Sequence, residues 1–147
     1  MTGEFGIAIH ALVFLNRKQT IICSDLLAKS VCTNPARVRK VLAKLKAAKL
    51  VGAKEGPEGG YFMVLPAEDI TLDQVLSALN LELISCSYGS ADPDVKCAVA
   101  SGMADAMEHL RASLNACCTK HLKTVTVADI DAEIPRSLKS LKIGVKE

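Results

Sequence analysis

The stretch Thr33-Asn34-Pro35, followed by Val38, Val41, Leu42 and Leu45, leaves its part of the chain little conformational freedom. Asn accepts hydrogen bonds from the free N–H groups of a helix's first turn, and Pro suits the first helical position because it lacks an N–H. The apolar residues recur at i, i+3, i+4 and i+7, so they share one face and must turn to a core. Arg37, Lys40 and Lys44 are expected on the opposite side, with Arg39 on the flank. A shorter helix is read just before, over Asp25–Lys29, with Ser24 as its cap and Leu26, Leu27 and Val31 as its apolar side. Two helices joined by the tight Ser30–Thr33 connection, the second basic on its exposed face, form a helix-turn-helix.

The period then changes. Val51–Lys54 reads as a strand, Glu55–Gly60 as a glycine-rich turn and Tyr61–Leu65 as the returning strand. A helix-turn-helix that runs directly into such a hairpin is a winged helix. A leading helix over Glu4–Asn16 supplies Phe5, Ile7, Ala8, Ala11, Leu12 and Leu15 at helical spacing, Pro66 ends the hairpin, and Thr71 caps a helix over Leu72–Leu79. After an irregular stretch broken by Ser87, Gly89, Ser90 and Pro93, a long helix is expected from about Asp94 to Leu122. Its stripe of Val99, Met103, Ala106, Met107, Leu110, Leu114, Cys117 and Leu122 lies outside the compact unit and needs a partner. The economical one is the same helix of a second subunit. Thr126 caps a last short helix over Val127–Ile134.

The expected fold is therefore mainly α: a winged helix-turn-helix DNA-binding domain followed by a long C-terminal dimerisation helix. The divisions are 1–80 for the winged helix, 81–93 for a linker or sensor loop, 94–134 for the dimerisation and final helices, and 135–147 for a tail. With 50% hydrophobic and 23% charged residues the chain has material for a core and is not disordered. That core must be aliphatic, since there are three Phe, two Tyr and no Trp. No uncharged apolar run approaches the roughly 18 residues of a membrane span, and the start lacks a signal peptide's basic flank and cleavage site, so a cytoplasmic, membrane-free location is expected. No phosphate-binding glycine loop, paired-carboxylate pocket or nucleophile–base motif points to an enzyme.

The charge is uneven. Residues 1–66 carry ten Lys/Arg against four Asp/Glu, a net +6, and residues 67–147 carry eight against twelve, a net −4. Eight basic residues and no acidic one stand between Asp25 and Glu55, which suits a polyanionic partner.

Three segments together resemble the Rrf2 family of bacterial winged-helix transcriptional regulators. They are Leu42-x-x-Leu45-x-x-Ala48-x-Leu50-Val51, the wing Gly56-x-x-Gly59-Gly60-Tyr61, and Leu65-Pro66-Ala67-Glu68-Asp69-Ile70-Thr71-Leu72. The resemblance implies a homodimer on a palindromic double-stranded DNA operator, usually as a repressor, with a sensor in the C-terminal half. On that footing Lys40, Lys44 and Lys54 are expected on phosphates, and Asn34, Arg37 and Arg39 at base edges. Gly59 and Gly60 would let the wing backbone approach the minor groove, and Tyr61 would close the wing's apolar base. The chain departs from the family at Glu55, where wings often carry Arg, and in its cysteines. Iron–sulfur members place three within about fifteen residues; here Cys86, Cys97 and Cys117 are spread wider. No cofactor is expected, with an iron–sulfur-sensing regulator of the same family as the alternative and a winged-helix protein–protein assembly module as another.

Segment Pro93–Val99 instead resembles thiol-type members, which keep one cysteine at the start of the long helix. Cys23, Cys86, Cys117 and Cys118 are expected to be small buried hydrophobes, and the pair Cys117 and His121 alone does not make a metal site. His10 and His109 are expected as ordinary helix residues. Cys32 and Cys97 each fall at or just ahead of an expected helix N-terminus, where the macrodipole stabilises a thiolate, with Lys29, Arg37 and Lys96 nearby. In the family the long helix crosses to the other subunit. That crossing implies the redox-sensing pair expected here, an intersubunit Cys32–Cys97 disulfide that releases DNA.

Overall fold

The computed structural model describes residues 3–85 and 97–136. Helix α1 (Gly3–Lys18) is followed by α2 (Ser24–Val31), α3 (Pro35–Ala47), strand β1 (Val51–Lys54), strand β2 (Gly60–Met63), α4 (Leu72–Leu79), α5 (Ala98–Leu122) and α6 (Val127–Glu133). A single 3-10 turn, Ala67–Asp69, bridges β2 and α4. The strands pair antiparallel with Val51 opposite Met63 and Lys54 opposite Gly60. Ile22 adds one further bridge to Tyr61, bonded both ways at 2.9 and 2.8 Å, so the segment before α2 lies along the wing. Tyr61 is half-buried against the core, closing the base of the wing. This is a winged helix with a long C-terminal helix.

Local chemistry explains the boundaries. Asn34 caps α3 through a 2.8 Å bond accepted from the Arg37 N–H, with Pro35 at the first helical position. Thr71 and Gln74 form a reciprocal capping box on α4, and Thr126 and Asp129 do the same on α6. Helix α1 runs from Gly3 to Lys18 rather than Glu4 to Asn16, β2 begins one residue early at Gly60, α6 ends one residue early at Glu133, and two further boundaries differ more from the sequence reading. Helix α2 begins one residue earlier, with Cys23 rather than Ser24 at the cap and no side-chain bond there, and it runs on to Val31. The returning strand stops at Met63, because the chain turns toward Pro66 and the 3-10 turn. The start expected at Asp94 for α5, most of the 81–93 loop, Cys86, Lys96 and most of the tail lie outside the described residues.

The core is aliphatic. Phe5, Leu12 and Leu15 of α1, Leu27 of α2, Val38, Val41, Leu42 and Leu45 of α3, and Ile70, Val75 and Leu79 around α4 are almost wholly enclosed. Leu122 and Val127 join the same cluster. Helix α6 is thus built into the winged-helix core rather than standing outside it with α5. Main-chain bonds from Leu72 N–H to the Val125 carbonyl and from Val127 N–H to the Ile70 carbonyl, both 2.9 Å, hold it there, and Arg17 pairs with Asp131 across α1 and α6.

Helix α5 behaves differently. Of its 25 residues only Leu122 is buried. Its middle grips the segment after α4: the Asn115 side chain bonds the Ile84 main chain both ways, at 3.0 and 2.8 Å, and Arg111 pairs with Glu82 and Glu108. Val99, Leu110 and Leu114 are 65, 50 and 41% exposed.

Candidate nucleic-acid interface

Four fully buried residues fix which way α3 faces. At 100° per residue, the direction opposite Val38, Val41, Leu42 and Leu45 is taken by Ala36, Ala43 and Ala47, with Lys40 beside them. This corrects the expected placing of the charges. Arg37 and Lys44 lie on the flank that turns to α1, where a Cβ on Gly3 would come within 2.8 Å of the Arg37 guanidinium. Arg39 lies on the other flank and donates to the Ser24 hydroxyl at 3.2 Å, across to the start of α2. Charge drew the sequence reading to the basic residues, while three small alanines hold the outermost ridge. Small side chains there allow close approach to a groove, and Ala suits contact with a thymine methyl.

Lys44 is the clearest departure from expectation. Its ammonium donates to Glu4 Oε2 at 2.8 Å and to the Leu79 carbonyl at 3.3 Å, so it ties α3 to α1 and to the end of α4. Lys40 stays two-thirds exposed but lies 3.5 Å from Glu4 Oε1. The Lys44 hydrogen bond, above all, holds the Glu4 carboxyl below the usual carboxylate range. Forty residues separate Glu4 from Lys44, and no local pattern announces such a pair.

In the wing, Lys54 ends β1 exposed to solvent, followed by Glu55 and Glu58 on the turn. Gly56 has φ +106° with open space where a side chain would go, and stands at the tip. Gly59 and Gly60 are needed for packing inside the protein. A Cβ on Gly59 would collide with the Lys54 carbonyl, and one on Gly60 with the Ile22 main chain. Their lack of a side chain is spent within the wing.

The cysteines also depart from expectation. Cys23 and Cys117 are exposed and Cys118 half-buried, because Cys23 sits at an open helix cap and the other two on a helix that buries almost nothing. Cys32 ends α2 in the left-handed conformation, φ 57°, with its sulfur 3.8 Å from the Lys29 carbonyl. It therefore stands at the carbonyl end of one helix, two residues short of the cap of the next, and not at a helix N-terminus. Cys97 does stand at the N-cap position of α5, without a side-chain cap bond, and the nearby main-chain N–H groups of Ala100 and then Val99 hold its thiol below the usual thiol range. Both cysteines are exposed. His10 bonds Ser30 at 2.9 Å across α1 and α2, and burial lowers its pKa; His109 is exposed on α5.

An iron–sulfur cluster needs three or four thiolates or similar donors within a few ångströms of one another. Cys97 and Cys117 sit twenty residues apart on one helix, about 30 Å at 1.5 Å per residue. No group of three His, Cys, Asp or Glu side chains converges among the described residues.

A capped helix-turn-helix, a two-stranded wing and a basic first half define a DNA-binding winged-helix protein. The family profile described as Rrf2, iron-dependent transcriptional regulator, matches residues 1–133. The chain belongs to the Rrf2 family of transcriptional regulators. It is 26% identical over 132 residues to YwnA of Bacillus subtilis, named a candidate HTH-type transcriptional regulator, covering 88% of this chain and 96% of that one. A Lactobacillus plantarum structure, named a candidate transcriptional regulator, superposes with TM-score 0.76 at 21% identity over 90% of each chain. The oxidised form of CymR from Staphylococcus aureus superposes with TM-score 0.65 at 18% identity, covering 91% of this chain and 97% of that one. Among the described residues no helix is long and apolar enough to cross a membrane.

Proposed function

We propose that this regulator is a homodimeric repressor of a palindromic operator whose grip is released when Cys32 of one subunit and Cys97 of the other form a disulfide. The observation that carries the reading is α5: 25 residues long, one of them buried, with Val99, Leu110 and Leu114 bare on one side. A helix with such a stripe is not stable in water without a surface to cover it. An open apolar groove of about 840 Å³ along α1, lined by Phe5, Ile9, Phe14, Leu83 and Ile134, adds a second uncovered surface. Two-fold symmetry then sets half-sites about one helical turn, ~10 bp, apart.

Within each subunit, α3 enters the major groove by its Ala36–Lys40–Ala43 ridge. Asn34 and Arg37 reach base edges from its first turn, and Arg39 does so on leaving Ser24. Lys54 meets a phosphate, Lys40 stands beside the ridge but is shared with Glu4, and Lys44 serves the fold rather than the DNA. The exposed positions of Cys32 in the α2–α3 turn and of Cys97 at the start of α5 support the switch. A peroxide oxidises the two thiols to one disulfide: its O–O bond breaks as it takes up their two protons and two electrons, and it leaves as two waters, or as one water and one alcohol. The new bond ties the turn ahead of α3 to the partner's long helix and pulls the recognition helices from their spacing.

The test is fluorescence anisotropy on DNA from upstream of the protein's own gene, at fixed salt, reduced and then mildly oxidised. Binding lost on oxidation, restored by thiol, and accompanied by a subunit-linked band absent from Cys32→Ser and Cys97→Ser supports the switch. Either variant responding normally sinks it. A brown protein with visible absorption would favour the iron–sulfur alternative, and absence of any salt-dependent DNA affinity the assembly module.

A further inference from the structure

We infer that Glu4, at the start of α1, sets the DNA affinity of the recognition helix by holding two of its lysines away from phosphate. The inference rests on α3 being the DNA-binding helix. Three cations of α3 turn toward the first two residues of α1: Arg37 lies against Gly3, Lys40 is 3.5 Å from one Glu4 oxygen, and Lys44 is 2.8 Å from the other. One carboxylate thus faces two ammonium groups on the flank of α3. It stands three-quarters buried, at the positive end of the α1 dipole, a setting that favours its charge.

The two lysines are held unequally. Lys44 is two-thirds buried and has a second acceptor in the Leu79 carbonyl, so it is fixed in place. Lys40 is two-thirds exposed, its carboxylate partner among the described residues lies 3.5 Å away, and it stands next to the outward ridge. A phosphate arriving at that ridge competes with Glu4 for Lys40 and is repelled by the same carboxylate. Glu4 is therefore a positioning residue for Lys44 and a competitor for Lys40. The regulator binds DNA in general less tightly than its basic block implies. A repressor gains from this, because weak general binding keeps it from being held on the excess of non-operator DNA.

Counterion release makes the idea measurable, since each phosphate neutralised by a lysine adds about 0.9 to the slope of log K against log salt. Wild type, Glu4→Gln, Glu4→Asp, Lys40→Gln and the double variant Glu4→Gln/Lys40→Gln would be titrated against a mixed-sequence 30-bp duplex from 50 to 300 mM salt. Glu4→Gln is expected to steepen the slope by about 0.9 per subunit and to tighten general binding about fivefold per subunit at 0.15 M salt. Glu4→Asp keeps the charge and should stay near wild type, and the double variant should fall back to the wild-type slope. A merely structural role predicts weaker binding with no steeper slope, and that result overturns the inference. Should Glu4→Gln fail to fold, Lys40→Gln alone decides: little change in slope supports competition by Glu4, and a full loss of about 0.9 refutes it. Wild type that binds no duplex at all would instead remove the DNA-binding role of α3, and the inference with it.

Discussion

Replacing Asn34 with Ala separates what this residue does for the fold from what the proposed reading gives it at DNA. Its side chain accepts the Arg37 N–H at 2.8 Å, and the first hydrogen bond of the helix ladder, from the Val38 N–H to the Asn34 carbonyl, is long at 3.3 Å. Pro35 has no N–H, so two donors of the first turn need partners, those of Ala36 and Arg37, and the cap supplies one. Loss of such a cap costs about 1 kcal/mol. Helix α3 will not unravel, because Val38, Val41, Leu42 and Leu45 remain enclosed. The loss should therefore appear as a lower urea midpoint with an unchanged slope, and as a melting temperature lower by about 2–4 °C. Asn34→Ser keeps a capping oxygen and should recover most of the stability. On the proposed reading it lacks the amide that would contact a base edge, a contact worth ~1–3 kcal/mol of discrimination. Unfolding at fixed protein concentration, beside operator and mixed-sequence titrations, reads both effects. If Ala is as stable as wild type, or Ser no more stable than Ala, the capping argument is wrong.

Three further outcomes follow from particular contacts. Glu55→Arg, which reverses a charge beside the exposed Lys54, should tighten binding to a mixed-sequence duplex about fivefold per subunit at 0.15 M salt, as one added phosphate contact would; an unchanged titration would place the wing tip away from the backbone. Gly59→Ala drives a methyl into the Lys54 carbonyl and should destabilise the protein by about 1–3 kcal/mol, measurable by urea unfolding. Glu4 and Asp129 both have carboxyls held below their ordinary range, the first chiefly by Lys44 and the second by the Thr126 N–H. Lowered folded-state values mean the stabilisation is complete above the ordinary carboxylate range and is lost as pH falls through the lowered values. Melting temperatures from pH 6 to pH 3 should drop, and the drop should be shallower in Glu4→Gln.

Sequence and structure agree where one short pattern fixes one short element. Asn34-Pro35 and the 38/41/42/45 stripe define α3, and Thr71 with Gln74 starts α4 at Leu72. Legibility fails where the deciding contact spans the chain. Lys44 looks like any basic helix residue until α1 folds back and presents Glu4. Cys32 looks like the approach to a helix start because Pro35 is near, yet α2 runs two residues further than Lys29 and makes it a helix end. Gly59 and Gly60 look like concessions to a ligand, since a sequence does not show that Ile22 and the Lys54 carbonyl lie against them. The exposed Cys117 was expected to be buried because helical spacing marks a stripe without telling what covers it.

The internal use of charge bears on why the long helix matters. Of the eight basic residues between Asp25 and Glu55, Lys44 is fixed by Glu4 and Leu79, Lys40 is shared with Glu4, and Arg39 is bonded to Ser24. Glu55 and Glu58 further offset Lys54 on the wing. Part of this basic block is thus already paired with the Glu4 carboxylate within the subunit, and on the proposed reading counterion release from a single winged helix yields only modest affinity at physiological salt. Two such units joined rigidly bind as one, because the second contact becomes intramolecular and the affinity rises by orders of magnitude only while the spacing matches the site. On the dimeric reading, a device that disturbs the spacing between two recognition helices needs no chemistry at α3 itself. It only has to act where α5 meets its partner, and Cys97 stands at the exposed end of that helix.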